Sequence, residues 1–84
     1  MKNFLSIKSH IREASLNETK KIYFNTKTYN ILFFEDEYIE LWEFIKNNSP
    51  LDQNLLKKYF NLIPERNIND FIDYLLEKDF IKRE

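Results

Sequence analysis

The sequence predicts an α+β domain in which a three-stranded antiparallel sheet is followed by three helices. Residues 1–34 are rich in β-branched and aromatic residues in short alternations, whereas residues 35–84 carry helical periodicity. The length of 84 residues makes one domain, spanning 1–84. Aromatic residues are 17% of the chain, with eight Phe, five Tyr and one Trp. Rings of that size can fill a core this small without a covalent staple.

The segment from Leu5 to Arg12 alternates loosely and reads as the first strand. Leu16 to Thr19 is the turn that follows. Ile22-Tyr23-Phe24 and Tyr29 to Phe34 are the next two strands, joined by the polar stretch Asn25-Thr26-Lys27-Thr28. Asn25 is the residue expected to take positive φ in that loop, where glycine would normally serve. The first helix is expected from Glu35 or Asp36, where carboxylates suit the positive end of the helix dipole. Tyr38, Leu41, Trp42 and Ile45 follow the i, i+3, i+4, i+7 spacing of a buried stripe. Ile39 and Phe44 widen that stripe, so the helix should be covered on two sides. Asn47 to Pro50 ends it. Leu51 and Asp52 read as an apolar staple residue and an N-cap. The second helix then presents Leu55, Leu56, Tyr59, Phe60 and Ile63 on one face. Pro64 to Asn67 is a breaker, and the third helix is expected from Asn67 or Asn69. Its apolar residues Phe71, Ile72, Tyr74, Leu75 and Leu76 cover roughly 200° of the wheel at about 100° per residue. Asp79 should take a left-handed conformation that sends Phe80 and Ile81 back onto the core.

Composition excludes most catalytic classes. The chain has no cysteine and one histidine, so thiol nucleophiles, zinc ribbons, iron–sulfur ligation and His-rich metal sites are not expected. It has no glycine, which removes the phosphate-cradling loops of nucleotide enzymes. No catalytic residue, metal site or cofactor is therefore expected, and the chain does not read as an enzyme. The acidic run Glu35, Asp36, Glu37 and Glu40 reads as a charged helix start. His10, between Lys8 and Arg12, reads as an exposed strand residue. No apolar run reaches the length of a membrane span, and Met1-Lys2-Asn3-Phe4 lacks a signal peptide's apolar core, so the expected address is cytoplasmic, with no membrane partner.

Three helices and a small sheet form a winged-helix-like layout, and a DNA-binding transcription regulator is one reading of it. Its third helix should then carry basic and amide side chains. Here it carries Asp70, Asp73 and Glu77, and the chain's net charge is −1, so nucleic acid is not the expected partner. Another reading is a structural subunit-interface module whose exposed strand pairs with its own copy. Peptide binding has the strongest physical case. Tyr29 to Phe34 is a long β-prone stretch with no proline or charge to blunt it as a sheet edge. Beside a third helix with surplus apolar surface, it would form a groove with a hydrogen-bonding rail.

The layout resembles the PqqD-like domains, the precursor-peptide recognition elements (RREs) of ribosomal peptide natural-product (RiPP) biosynthesis. The resemblance covers roughly residues 5–82. It rests on the hairpin ending in Tyr29 to Phe34, the step Glu35 to Trp42 into the first helix, Ser49-Pro50-Leu51-Asp52 before the second, and the closing pattern Phe71 to Ile81. Asp79 stands where the family commonly has glycine, and Phe34-Glu35-Asp36 where it often has asparagine. The resemblance implies a peptide chaperone that binds the leader segment of a precursor peptide by β-strand addition. It presents that peptide to a radical enzyme, cyclase or leader protease. Carried over by position, the docking edge would be Tyr29, Asn30, Ile31, Leu32, Phe33 and Phe34. The helix side would be Asp70, Phe71, Tyr74, Leu75 and Lys78, with Lys78 pairing an acidic leader residue.

Overall fold

The computed structural model describes residues 4–84, so the first three positions, and with them most of the stretch weighed as a signal sequence, lie outside the described residues. In chain order the elements are β1 (Phe4–Ile7), β2 (Ile11–Ser15), β3 (Lys20–Asn25), β4 (Ile31–Glu35), α1 (Glu37–Asn47), β5 (Leu51–Asp52), α2 (Gln53–Tyr59), α3 (Glu65–Glu77) and β6 (Ile81–Arg83). The architecture is α+β, with antiparallel sheets and three helices. The expected three-stranded sheet is present in the order β2-β3-β4, ahead of the helices. A second sheet, β5-β1-β6, joins the start of the chain to the segments after α1 and α3. No helix among the described residues is long and apolar enough to cross a membrane.

The second sheet arises because the first expected strand is two strands. The chain turns at Lys8 to His10, so Leu5 and Ile7 serve one sheet and Ile11 the other. His10 therefore sits in a turn, not on an exposed strand. Its Nε2 lies 3.6 Å from Asp79, and Lys8 Nζ reaches the same carboxylate at 3.2 Å. That contact with Lys8 holds the Asp79 carboxyl below its ordinary range.

Asp79 takes positive φ, as its place after a helix requires. The Phe80 N–H donates to the Leu75 carbonyl at 2.9 Å and the Asp79 N–H to the Leu76 carbonyl at 3.2 Å. This paired closure satisfies carbonyls that the end of α3 would otherwise leave open. It turns Phe80 and Ile81 into the core, where both are buried.

The other positive-φ residues among the described residues are Tyr29 and Asp36. Asn25 is not among them. Its side chain is fully buried and acts as a fastening. Oδ1 accepts from the Lys27 and Thr28 N–H groups at 2.9 and 3.0 Å, and Nδ2 donates to the Asp79 carbonyl at 2.8 Å. A buried amide satisfied this fully organises its own loop, so the reversal falls on Tyr29.

The core is a run of rings. Trp42 on α1 lies 5.3 Å from Tyr23, 6.0 Å from Phe34 and 6.1 Å from Phe80 between centroids. On the other side of α1, Phe44 meets Tyr59 and Phe60 at 5.3 and 5.5 Å. The wide apolar arc of this helix is thus covered on two sides. Asp52 caps α2 by accepting from the Asn54 N–H at 3.0 Å, as expected. Of the apolar face expected on α2, Leu55 and Tyr59 are exposed, and Leu56 is the residue that the core encloses. The third helix starts earlier than expected, at Glu65. Pro64 precedes it, and its carbonyl accepts from the Asn67 and Ile68 N–H groups at 2.9 and 3.2 Å. Proline ahead of a first turn is compatible with the helix and does not break it.

A half-buried charge network ties the β2-β3-β4 sheet to α1. Lys46 contacts Glu13 at 3.0 Å and Glu43 at 2.9 Å, and Lys21 reaches Glu43 at 3.3 Å. Burial alone would raise the Glu43 carboxyl. The hydrogen bonds and charges of Lys46 and Lys21 outweigh it and hold the group below its ordinary value of 4.5. A depressed folded pKa stabilises the fold above 4.5, and that contribution disappears as pH falls through the folded value. Glu43→Gln should therefore lower the thermal midpoint at neutral pH, with the gap to wild type shrinking below pH 4.5. Melting curves across that range check it. Asn25→Ala should cost about 2 kcal/mol in urea unfolding, because it strands buried backbone partners.

Candidate functional site: the β4–α3 cleft

Among the described residues β4 pairs with β3 alone, in the register Ile22 opposite Phe33 and Tyr23 opposite Leu32. Its other side is an open edge. Alternation along the strand sends Leu32 and Phe34 into the core and leaves Ile31, Phe33 and Glu35 outside.

A cleft of about 420 Å³ opens at the Glu35 end of this edge. Phe33, Phe34 and Glu35 of β4 form one wall, and Phe71 and Tyr74 of α3 the other. Asp36, Glu37 and Tyr38 close one end. That end is held by rings: Phe71 lies 5.1 Å from Phe34 and 5.3 Å from Tyr38. At the opposite end Asn30 Nδ2 donates to the Lys78 carbonyl at 3.4 Å, beside the Asn25 fastening to Asp79. α3 therefore runs opposite to β4, tied at both ends, with the cleft between. Acidic side chains gather at the ring-held end, while Lys78 stands at the other, its Nζ 6.0 Å from the Tyr74 ring centre.

The structure sorts the residues expected to form this site. Ile31 and Phe33 are exposed on the edge strand, and Tyr74 is exposed on α3. Phe34 and Phe71 line the cleft from largely buried positions. Leu32 and Leu75 are enclosed in the core, so they shape the walls from behind and do not reach a bound molecule. Tyr29 and Asn30 precede β4, and neither belongs to its ladder. Asp70 is exposed one turn before Tyr74. Tyr38, Asp36 and Glu37 line the cleft although their spacing reads as a helix start. Only the positive φ at Asp36, which swings the chain across the end of the cleft, brings them there.

The outer face of the same sheet is also apolar. Phe24 is opposite Ile31, Ile22 opposite Phe33 and Ala14 opposite Ile22. Phe33 is 64% exposed there, an unusual state for so large an apolar side chain at a sheet edge. Among the described residues no group of three or more His, Asp or Glu is placed to hold a metal ion. In comparisons with known proteins, no family model matches this chain and no curated protein matches its sequence.

The two aromatic residues on the α3 wall should separate in a stability measurement. Phe71→Ala removes a buried ring and should cost about 3–5 kcal/mol in urea unfolding. Tyr74→Ala, at a position 42% exposed, should cost less than about 1 kcal/mol. Tyr74 can therefore be altered to test binding in a folded protein.

Proposed function

We propose that this chain is a PqqD-like recognition element. It binds the leader segment of a ribosomally made precursor peptide by adding it as a strand to β4, and it presents that peptide to a partner modifying enzyme or protease. The observation that supports this reading is the open edge of β4, with an apolar cleft between its Phe33–Glu35 end and α3. An unpaired edge offers alternating N–H and C=O groups to any extended chain, and the cleft beside it receives every second side chain. The protein supplies affinity and placement, and the chemistry belongs to the partner.

The exposed face of α3 also favours a peptide over DNA. Asp70, Asp73 and Glu77 are exposed along it, which repels phosphate at the position where a winged helix reads a groove.

Titrating isotopically labelled protein with leader peptides encoded beside it tests the proposal. Amide shifts should concentrate in residues 31–35 and 71–78. No change in 31–35 at saturating peptide would defeat the reading. Ile31→Asp and Tyr74→Ala, each verified as folded, should weaken binding at least about tenfold, the scale of a central interface residue. Lys57→Ala, which removes a contact between α2 and Glu65 away from the cleft, should leave it unchanged.

A further inference from the structure

The cleft is electrically asymmetric along its length. Glu35, Asp36 and Glu37 lie at the end where β4 runs into α1. Of these three, Glu35 alone has a basic partner among the described residues, Lys20 at 3.7 Å. The opposite end carries Lys78, which has no carboxylate partner among the described residues. Asp79 beside it is already engaged by Lys8 and His10. Glu77 lies about 60° round the helix from Tyr74 on the solvent side, whereas Lys78 lies about 40° round on the side of Phe71, towards the cleft. The two ends are therefore of opposite sign, separated by the apolar stretch of Phe34, Phe71 and Tyr74.

An antiparallel partner is the more stable addition to an edge strand. Its N-terminal end would lie at the acidic mouth and its C-terminal end beside Lys78. Side chains facing the cleft recur every second residue, at about 3.3 Å per residue, so positions i and i+4 span about 13 Å. That is also the length of β4 from Ile31 to Glu35. Resting on the peptide-binding reading, we propose that the cleft selects its occupant by charge order. The occupant is an extended peptide whose cleft-facing row reads basic, apolar, acidic from N- to C-terminus at i, i+2 and i+4. Positions i+3 and i+5, whose side chains alternate to the outer face, fall opposite Phe33 and Ile31 and are apolar. The central apolar side chain enters between Phe34, Tyr38 and Phe71, and the outer ones extend the row of cross-strand apolar pairs begun by Ile22 and Phe24.

Three synthetic peptides test the order. They share flanks and outer-row residues and carry Lys-Leu-Glu, Glu-Leu-Lys or Gln-Leu-Gln at the three cleft-facing positions. The first two have the same composition and the same net charge. At low ionic strength the Lys-Leu-Glu peptide should bind about fivefold more tightly than its reversal, with the neutral peptide between them. The gap should close in about 0.5 M salt. Lys78→Glu and Glu37→Lys should each narrow it. Equal affinities, or tighter binding of Glu-Leu-Lys, would overturn the charge order and leave strand addition standing. If none of the three binds and no amide of 31–35 shifts, strand addition fails and the charge order fails with it.

Discussion

The side chain of Asn25 is the fastening on which the arrangement of β4 and α3 depends. One amide holds the loop that starts β4 and, through its other end, the carbonyl that follows α3. A hydrogen bond buried from water is worth more than one in solvent, and its absence would leave several backbone groups unpaired. Because the amide is short, it sets the separation of strand and helix closely at that end. At the other end the separation is set by contact between Phe34, Phe71 and Tyr38. The cleft is what remains between two fixed distances. It exists because no side chain of β4 or α3 is placed to fill the middle: Leu32 and Leu75 turn away into the core.

Local chemistry made much of this legible in the sequence. Asp52 as a cap, Asp79 as the left-handed residue, the turn from Leu16 to Thr19 and the double cover of α1 all follow from signals within a few residues of one another. Asn17 illustrates the turn, accepting from the Thr19 N–H at 2.8 Å. The edge position of β4 was also accessible, since neither proline nor an internal charge interrupts it. What could not be read depends on partners far along the chain. The split of the first strand requires β5 and β6, which pair with β1 from residues 51–52 and 81–83. Two- and three-residue strands have no alternation long enough to detect. The role of Asn25 required knowing that Asp79 would stand beside it, 54 positions away. Leu32 and Leu75 enter the groove only through the family resemblance, which carries positions over without saying how deep each side chain lies.

β4 also departs from the usual protection of sheet edges. Natural edges are short, charged, bulged or covered. This one is short, and its charge, Glu35, is at its end. Ile31 and Phe33 continue the apolar outer face right up to the open backbone. An edge of this kind favours any extended chain that can complete both the ladder and the apolar rows. Such an edge is open to pairing with a second copy of the domain as well as with any other extended chain.

A chain without glycine still bends to the left-handed side at three places among the described residues: Tyr29, Asp36 and Asp79. They stand just before β4, just after β4 and just after α3, so each corner frames a wall of the cleft. A side chain at such a corner costs on the order of 1–3 kcal/mol of backbone strain. It also removes most of the swivelling that glycine would allow, in the unfolded chain as well as the folded one. The corners of the slot are accordingly restricted at the backbone, and that part of its geometry leaves little freedom to lose were a chain to dock there.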